Sequence, residues 1–329
     1  MRFLIVILLL ATLFACTSKT NKQHPESGIE EKPNIIIIYT DDQGYGDVSA
    51  LNPEAKFQTP NIDKLANEGI IFTDGHSSDG VCTPSRYTLL TGRYSWRTSL
   101  KKGVLGADGP CLIEKERMTI ASMLKEHGYN TAMIGKWHLQ MDFVGTKEKD
   151  RDWSKPFTEG PVERGFDYFF GIPASMNYGV LTYLENDKVL DPPVLWTKKK
   201  RNTNPRTYSN SITPADYRMT PPFLEEPGEG GGWIEAAPSF NDELVLETFA
   251  EKAVEYIQKV AQDAKNGIPF FLYFPLTSPH LPHCTHPDFQ GRTNCGNYGD
   301  FMEETDFRIG QILNALEENG LTEKTLVIF

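Results

Sequence analysis

Positive charge is what this chain is short of. Its 329 residues carry 33 Lys and Arg against 44 Asp and Glu, a net charge of −11. An acidic surface repels a phosphate backbone, which argues against nucleic acid as a partner. A local basic pocket can still take a small anion. Cysteine is scarce as well, at five residues, so a disulfide-stapled scaffold is out and apolar packing must supply the core. A membrane-spanning run is missing too: the N-terminal stretch Phe3 to Leu10 is too short to cross a bilayer as a stable helix. No short repeat is visible, which sets aside solenoids and propellers. What remains is ordinary globular composition, 39% hydrophobic and 23% charged. The length suits one large α/β domain or two smaller ones.

The first sixteen residues read as a targeting segment. Arg2 gives a positive start, Phe3 to Leu10 an apolar core, and Leu13-Phe14-Ala15-Cys16 resembles a bacterial lipobox. The resemblance implies cleavage before Cys16 and lipidation of its thiol, anchoring the protein in the bacterial cell envelope, at the outer membrane or in the periplasm. Thr17-Ser18, with no Asp after the cysteine, favours the outer membrane. An ordinary signal peptide with an incidental cysteine is the alternative. Residues 17–32 are polar and read as a flexible tether, which leaves 33–329 as the folded domain.

Within that domain the pattern is α/β. Asn34 to Thr40 is an unbroken apolar run, β-branched at Ile35 to Ile38, as expected of a central strand covered on both faces. It leads into Asp41-Asp42, at the strand end where open α/β sheets place their ligands. Thr59-Pro60 opens a helix with Ile62, Leu65 and Ala66 inward, stopped at Gly69. Ile70 to Phe72 reads as a short strand. Thr119 to His127 is a helix with Ile120, Met123 and Leu124 inward, and Tyr129 to Ile134 is a strand leaving through Gly135-Lys136-Trp137-His138. Residues 140–240 are rich in Pro, Gly, Lys and Asn and read as a loop-rich insertion over the active edge, where loops set substrate choice. The basic run Lys198 to Arg201 is a solvated surface or a contact for an anionic polymer. Regular structure returns with a helix from Asp242 to Ala264, a strand from Phe270 to Leu276, a helix from Asp300 to Asn319 and an apolar strand from Thr325. The expected fold is therefore a mostly parallel sheet flanked by helices.

One stretch organises the rest: Cys82-Thr83-Pro84-Ser85-Arg86, followed by Thr91-Gly92. Pro84 suits a first helical turn, which puts Cys82 at a helix N-terminus, where free N–H groups and the helix dipole favour negative charge. Arg86 follows one turn on, on the same face. This set resembles the signature of the type I sulfatases, in the alkaline-phosphatase superfamily. The resemblance implies that Cys82 is oxidised to formylglycine by a formylglycine-generating or anaerobic sulfatase-maturating enzyme. Asp41 and Asp42 then match the family's first metal ligands, for Ca²⁺ rather than Mg²⁺, with position 82 as a further ligand. Lys136 and His138 match its Gly-Lys-Trp-His motif, and His280 its Ser-Pro-His histidine. The mechanism so implied uses Arg86, Lys136 and the metal to hold sulfate, attack by the hydrated aldehyde at position 82, protonation of the leaving alcohol by His280, and a hydrogen bond from His138.

The substrate implied is a sulfated carbohydrate or an aryl sulfate. A phosphoester hydrolase of the same superfamily and a non-catalytic, glycan-binding surface lipoprotein are the alternatives. Two aspartates fall short of the roughly six to eight oxygens of a calcium site. The resemblance places the remaining ligands, an Asp-Asn pair, after a later strand like Leu326 to Phe329, and a smaller domain beyond, so the 329 residues are expected to be a fragment. Cys284 and Cys295 are close enough in sequence for a disulfide or stay free, and Cys111 has no evident partner.

Overall fold

Strand β1 (Asn34–Asp41) lies inside a sheet, as its isoleucine run demands. Alternate side chains enter different cores: Ile36 and Ile38 join one apolar cluster and Ile37 the other. The computed structural model describes residues 32–145, 150–197 and 233–329. The lipobox with Cys16, the tether and the basic run at 198–201 lie outside the described residues. Pro33–Phe329 forms one compact unit.

The main sheet has seven strands, in the order β5 (Lys188–Val189), β4 (Leu184–Glu185), β3 (Tyr168–Ile172), β2 (Asn130–Lys136), β8 (Phe270–Pro279), β1 and β9 (Thr325–Ile328). Its five long members are β1, β2, β3, β8 and β9, and all pair in parallel. The hairpin of β4 and β5 adds an antiparallel edge. A separate pair joins β6 (Leu195–Thr197) to β7 (Ile234–Ala236). Helices α1 (Pro60–Glu68), α4 (Val245–Lys265) and α5 (Gly296–Glu318) feed the first core, where Phe249, Ile257, Ile309 and Ile312 are fully buried. Helices α2 (Cys82–Thr91) and α3 (Ile120–Glu126) feed the second, through Tyr87, Leu90, Ala121 and Leu124. Among the described residues no helix is long and apolar enough to cross a membrane.

At the end that carries the site, β8, β2 and β3 approach so closely that only glycine fits. A Cβ on Gly135 (φ 138°) would lie 2.0 Å from the Pro275 carbonyl oxygen, and one on Gly171 would lie 1.8 Å from that of Gly135. This close approach lies next to Lys136, the last residue of β2, and to Leu276 within β8.

Several expectations need correction. Ile70 to Phe72 forms no strand: the three residues follow Gly69 as an exposed irregular segment, Ile70 83% and Phe72 79% accessible, that joins no sheet. The stretch 140–240 is not all loop, since it supplies β3, the β4–β5 hairpin and the β6–β7 pair. These elements are two to five residues long, too short to show a period. In α3 Met123 is exposed, and Ala121 packs inward with Leu124 instead. Thr59 does not cap α1 with its side chain; its hydroxyl bonds to Asp63 and Ser49. Of the two alternatives for Cys284 and Cys295, free thiols rather than a disulfide are what the fold holds. The buried Cys284 thiol donates to Asp242 Oδ2 at 3.3 Å, beside the start of α4, while Cys295 precedes α5.

Candidate active site

Neighbouring strands β2, β8 and β1 end side by side, so the residues leaving them converge. Asp41 ends β1, and Asp42 turns the chain away in a left-handed conformation (φ 65°). Lys136 ends β2 and Pro279 ends β8, with His280 next. Cys82 is the first residue of α2, as its spacing from Pro84 predicted, and is buried.

Contacts tie three of these residues into one buried group. Asp41 Oδ2 accepts from Lys136 Nζ and lies 3.4 Å from Arg86 Nη2. All three side chains are at most 4% accessible. The Arg86 fork also donates to the backbone, Nη1 to the Lys136 carbonyl at 2.8 Å and Nη2 to the Leu276 carbonyl at 3.1 Å. Its Nε is buried with no protein partner. Burial works against charge on each group. Mutual attraction outweighs it for Asp41, whose carboxyl is held below its ordinary range by Arg86 and Lys136. For Lys136 burial, reinforced by Arg86, outweighs Asp41 and lowers the ammonium. Within this buried group two basic side chains thus face one carboxylate. Such a pocket favours an anion.

Cys82 senses the same charges. Burial pushes its thiol up and Asp41 adds to this, against the pull of Lys136 and Arg86. The helix N-terminus expected to favour negative charge therefore does not yield a thiolate. An unmodified cysteine here is a protonated, poorly reactive group.

Lys136 and His138 do not share an extended exit, as their spacing suggested. His138 adopts φ 59°, a twist that follows the left-handed Gly135. Its imidazole is fully buried, and burial with Lys136 and Arg86 nearby lowers its basicity far below the ordinary value. The neutral ring donates Nε2–H to the Leu105 carbonyl at 2.7 Å, which leaves Nδ1 a buried acceptor with no protein partner. His280 is less enclosed. Burial and Lys136 lower its basicity, opposed by Asp41 and Asp42, and its Nε2 lies 3.6 Å from Asp42 Oδ2.

Two groups beside the histidines escaped the sequence reading. Ser175 Oγ sits 3.2 Å from His280 Nδ1, and the Tyr178 ring packs 5.4 Å from that of His138. Both follow β3, and recognising β3 as a parallel neighbour of β2 would have put its exit at this edge. His283 and His286, further along the segment after β8, are engaged elsewhere: His283 against Tyr298 and Phe301, His286 against Glu247 and Asp288.

The residues at the end of β1 suit a hard cation. Asp41 and Asp42 offer carboxylate oxygens, and the next residue, Gln43, buries an amide oxygen without a partner. Among the described residues no cluster of three or more His, Cys, Asp or Glu forms a complete metal shell, so these donors would be part of one.

The model of a protein family described as Sulfatase matches residues 33–329. The chain is 32% identical over 339 residues to an N-acetylgalactosamine-6-O-sulfatase of Bacteroides thetaiotaomicron, covering 97% of this chain and 62% of that protein. Identity to human arylsulfatase A is also 32%, over 302 residues, 92% of this chain and 52% of the relative. A solved B. thetaiotaomicron structure, from work on glycosaminoglycan metabolism, superposes with a TM-score of 0.71 at 30% identity, covering 90% of this chain and 61% of that one. A Pseudoalteromonas sulfatase follows with a TM-score of 0.61, 26% identity and coverage of 90% and 54%. The chain thus spans between half and two thirds of the length of these relatives.

Proposed function

The chain belongs to the sulfatase family, and from that membership we propose that the protein hydrolyses sulfate esters of a carbohydrate, with a formylglycine made from Cys82 as its nucleophile. The observation that carries this reading is the buried group of Arg86, Lys136 and Asp41, whose two basic side chains lie close enough to act on position 82 and suit a sulfate oxygen. The carbohydrate is favoured by the relative named N-acetylgalactosamine-6-O-sulfatase.

Each residue has a part its geometry supports. Arg86, its fork fixed by two backbone carbonyls, and Lys136 hold the sulfate and offset charge in the transition state. A formylglycine at position 82 would supply the nucleophile: one hydroxyl of its hydrate attacks sulfur and gives its proton to solvent, the new S–O bond forming as the ester S–O bond breaks. His280 delivers a proton to the leaving alcohol. The negative charge of the bound ester counters the burial that lowers its basicity. His138 Nδ1 accepts a hydrogen bond from the second hydroxyl, whose proton passes to solvent as the C–O bond to sulfate breaks and the aldehyde returns. Asp41 and Asp42 would hold a divalent cation, Ca²⁺ or Mg²⁺ by the hardness of the donors and Ca²⁺ by the family resemblance, which when bound draws charge from the sulfate oxygens.

The lipobox at Cys16 supports a lipid anchor in a bacterial envelope, and Cys82 requires a maturation enzyme as partner. Incorporation of labelled fatty acid that vanishes in Cys16→Ala tests the anchor. For the activity, sulfate release from N-acetylgalactosamine 6-sulfate is compared with phosphate release from an aryl phosphate. Release of sulfate is expected, and phosphate release alone would replace this reading with a phosphoesterase.

A further inference from the structure

The loop from Tyr94 to Lys102, which follows α2, takes no part in the reaction centre. Tyr94 and Trp96 stack with their rings 5.7 Å apart and 17° from parallel, yet remain 51% and 58% exposed. Arg97, Lys101 and Lys102 stand exposed beside them. Three cations within six residues, with no acidic residue among them, make a positive patch on a chain of net charge −11.

The loop holds this arrangement before anything binds. Ser95 and Leu100 are buried anchors. The Thr98 N–H and hydroxyl donate to the Ser95 carbonyl at 2.8 and 2.6 Å, and the Leu100 N–H donates to Thr98 Oγ1 at 3.1 Å. Arg93 Nη2 donates to the Arg97 carbonyl at 2.9 Å, and Lys101 Nζ to the Trp96 carbonyl at 2.8 Å. Little conformational entropy is left to lose on binding. The loop begins about 15 Å along α2 from Cys82 and returns at Leu105, whose carbonyl touches His138. It therefore flanks the reaction centre without entering it.

We propose that this loop is a binding surface for a sulfated polysaccharide. The C–H face of a pyranose packs on an exposed aromatic ring as other apolar surface does. Sulfate half-esters stay ionised and are met by ammonium and guanidinium donors. A neutral glycan would use the rings and leave three cations idle, and a nucleic acid would meet the chain's overall negative field. The choice of a sulfated ligand rests on the function proposed above; the surface does not.

Affinity electrophoresis of the whole chain tests it, in gels carrying chondroitin 6-sulfate or the same polymer chemically desulfated. Retardation is expected in the sulfated gel only. Trp96→Ala, and separately the pair Lys101→Ala and Lys102→Ala, should each weaken the apparent affinity about tenfold, and Trp96→Phe should restore most of it. Variants that migrate like the unaltered chain, or equal retardation by the desulfated polymer, would overturn the proposal. Circular dichroism checks each fold, and if Trp96→Ala unfolds the lysine pair decides. Sulfate release by the unaltered chain is measured apart from binding: its failure removes the catalytic reading and leaves the gel result intact.

Discussion

Arg86 illustrates how a single residue can be held by the backbone. Its fork spends two N–H groups on carbonyls of Lys136 and Leu276 and faces Asp41. A lysine there is a point charge and cannot keep both carbonyls in one plane. Arg86→Lys should lower kcat/KM for sulfate release about 100-fold or more, which steady-state kinetics will read; activity near the unaltered level would show that the fork is dispensable. His138 offers a sharper distinction. Glutamine can preserve the bond to Leu105 but has no equivalent of Nδ1, so His138→Gln should keep the melting temperature within a few degrees and lose most of its turnover. Full turnover in that variant would reduce His138 to a structural role. Position 82 is decided by mass: the matured peptide should carry an aldehyde, and an unmodified thiol in fully active protein would sink the proposed chemistry.

Among the elements, the strands and their exits decide most. Gly135→Ala places a Cβ against the Pro275 carbonyl in a backbone conformation that disfavours side chains. It should cost about 2 kcal/mol or more, seen as a lower denaturation midpoint, and an unchanged midpoint would mean the strands can part at no cost. Helix α3 depends on Thr119, which accepts the Ser122 N–H at 3.0 Å and donates to the Arg164 carbonyl at 2.7 Å. Thr119→Ala should cost about 1–2 kcal/mol. These elements also show what the sequence disclosed. The long helices α4 and α5 and the strands β1 and β8 were legible because their apolar patterns run for many residues against a single environment. Strand β3 was not, because five residues with a glycine among them carry no period and take their meaning from the neighbours they pair with. Ser175 and Tyr178 were hidden for the same reason. The motif residues Asp41, Cys82, Arg86 and Lys136 were legible by resemblance, but the left-handed turn at His138 and the raised Cys82 thiol depend on burial, which only the assembled fold defines.

For the whole molecule, buried ionisable groups make stability depend on pH in opposing ways. Glu304 is fully buried, accepts the His286 N–H at 2.8 Å and faces Arg308 Nε at 3.3 Å, and burial pushes its carboxyl from 4.5 up to about 7. A raised carboxyl favours the folded state below 4.5 and loses that contribution as pH climbs to about 7. His138 and His280, held neutral, work the other way and withdraw stability as pH falls below 6.5. The difference in melting temperature between the unaltered chain and Glu304→Gln should therefore change steadily between pH 4.5 and 7 and level off above. Calorimetry that finds a constant difference would contradict the burial of this carboxyl. The sheet order has a consequence of another kind, in time. Ile35 pairs with Phe271 on one side and Leu326 on the other, so a ribosome must add 236 residues after Ile35 before the first of these partners exists. At about 5–20 residues per second that is a wait of roughly 12–47 s. Throughout it four consecutive isoleucines stand with both backbone edges open, which makes the nascent chain, more than the finished protein, the form that depends on chaperones to avoid pairing with its own copies.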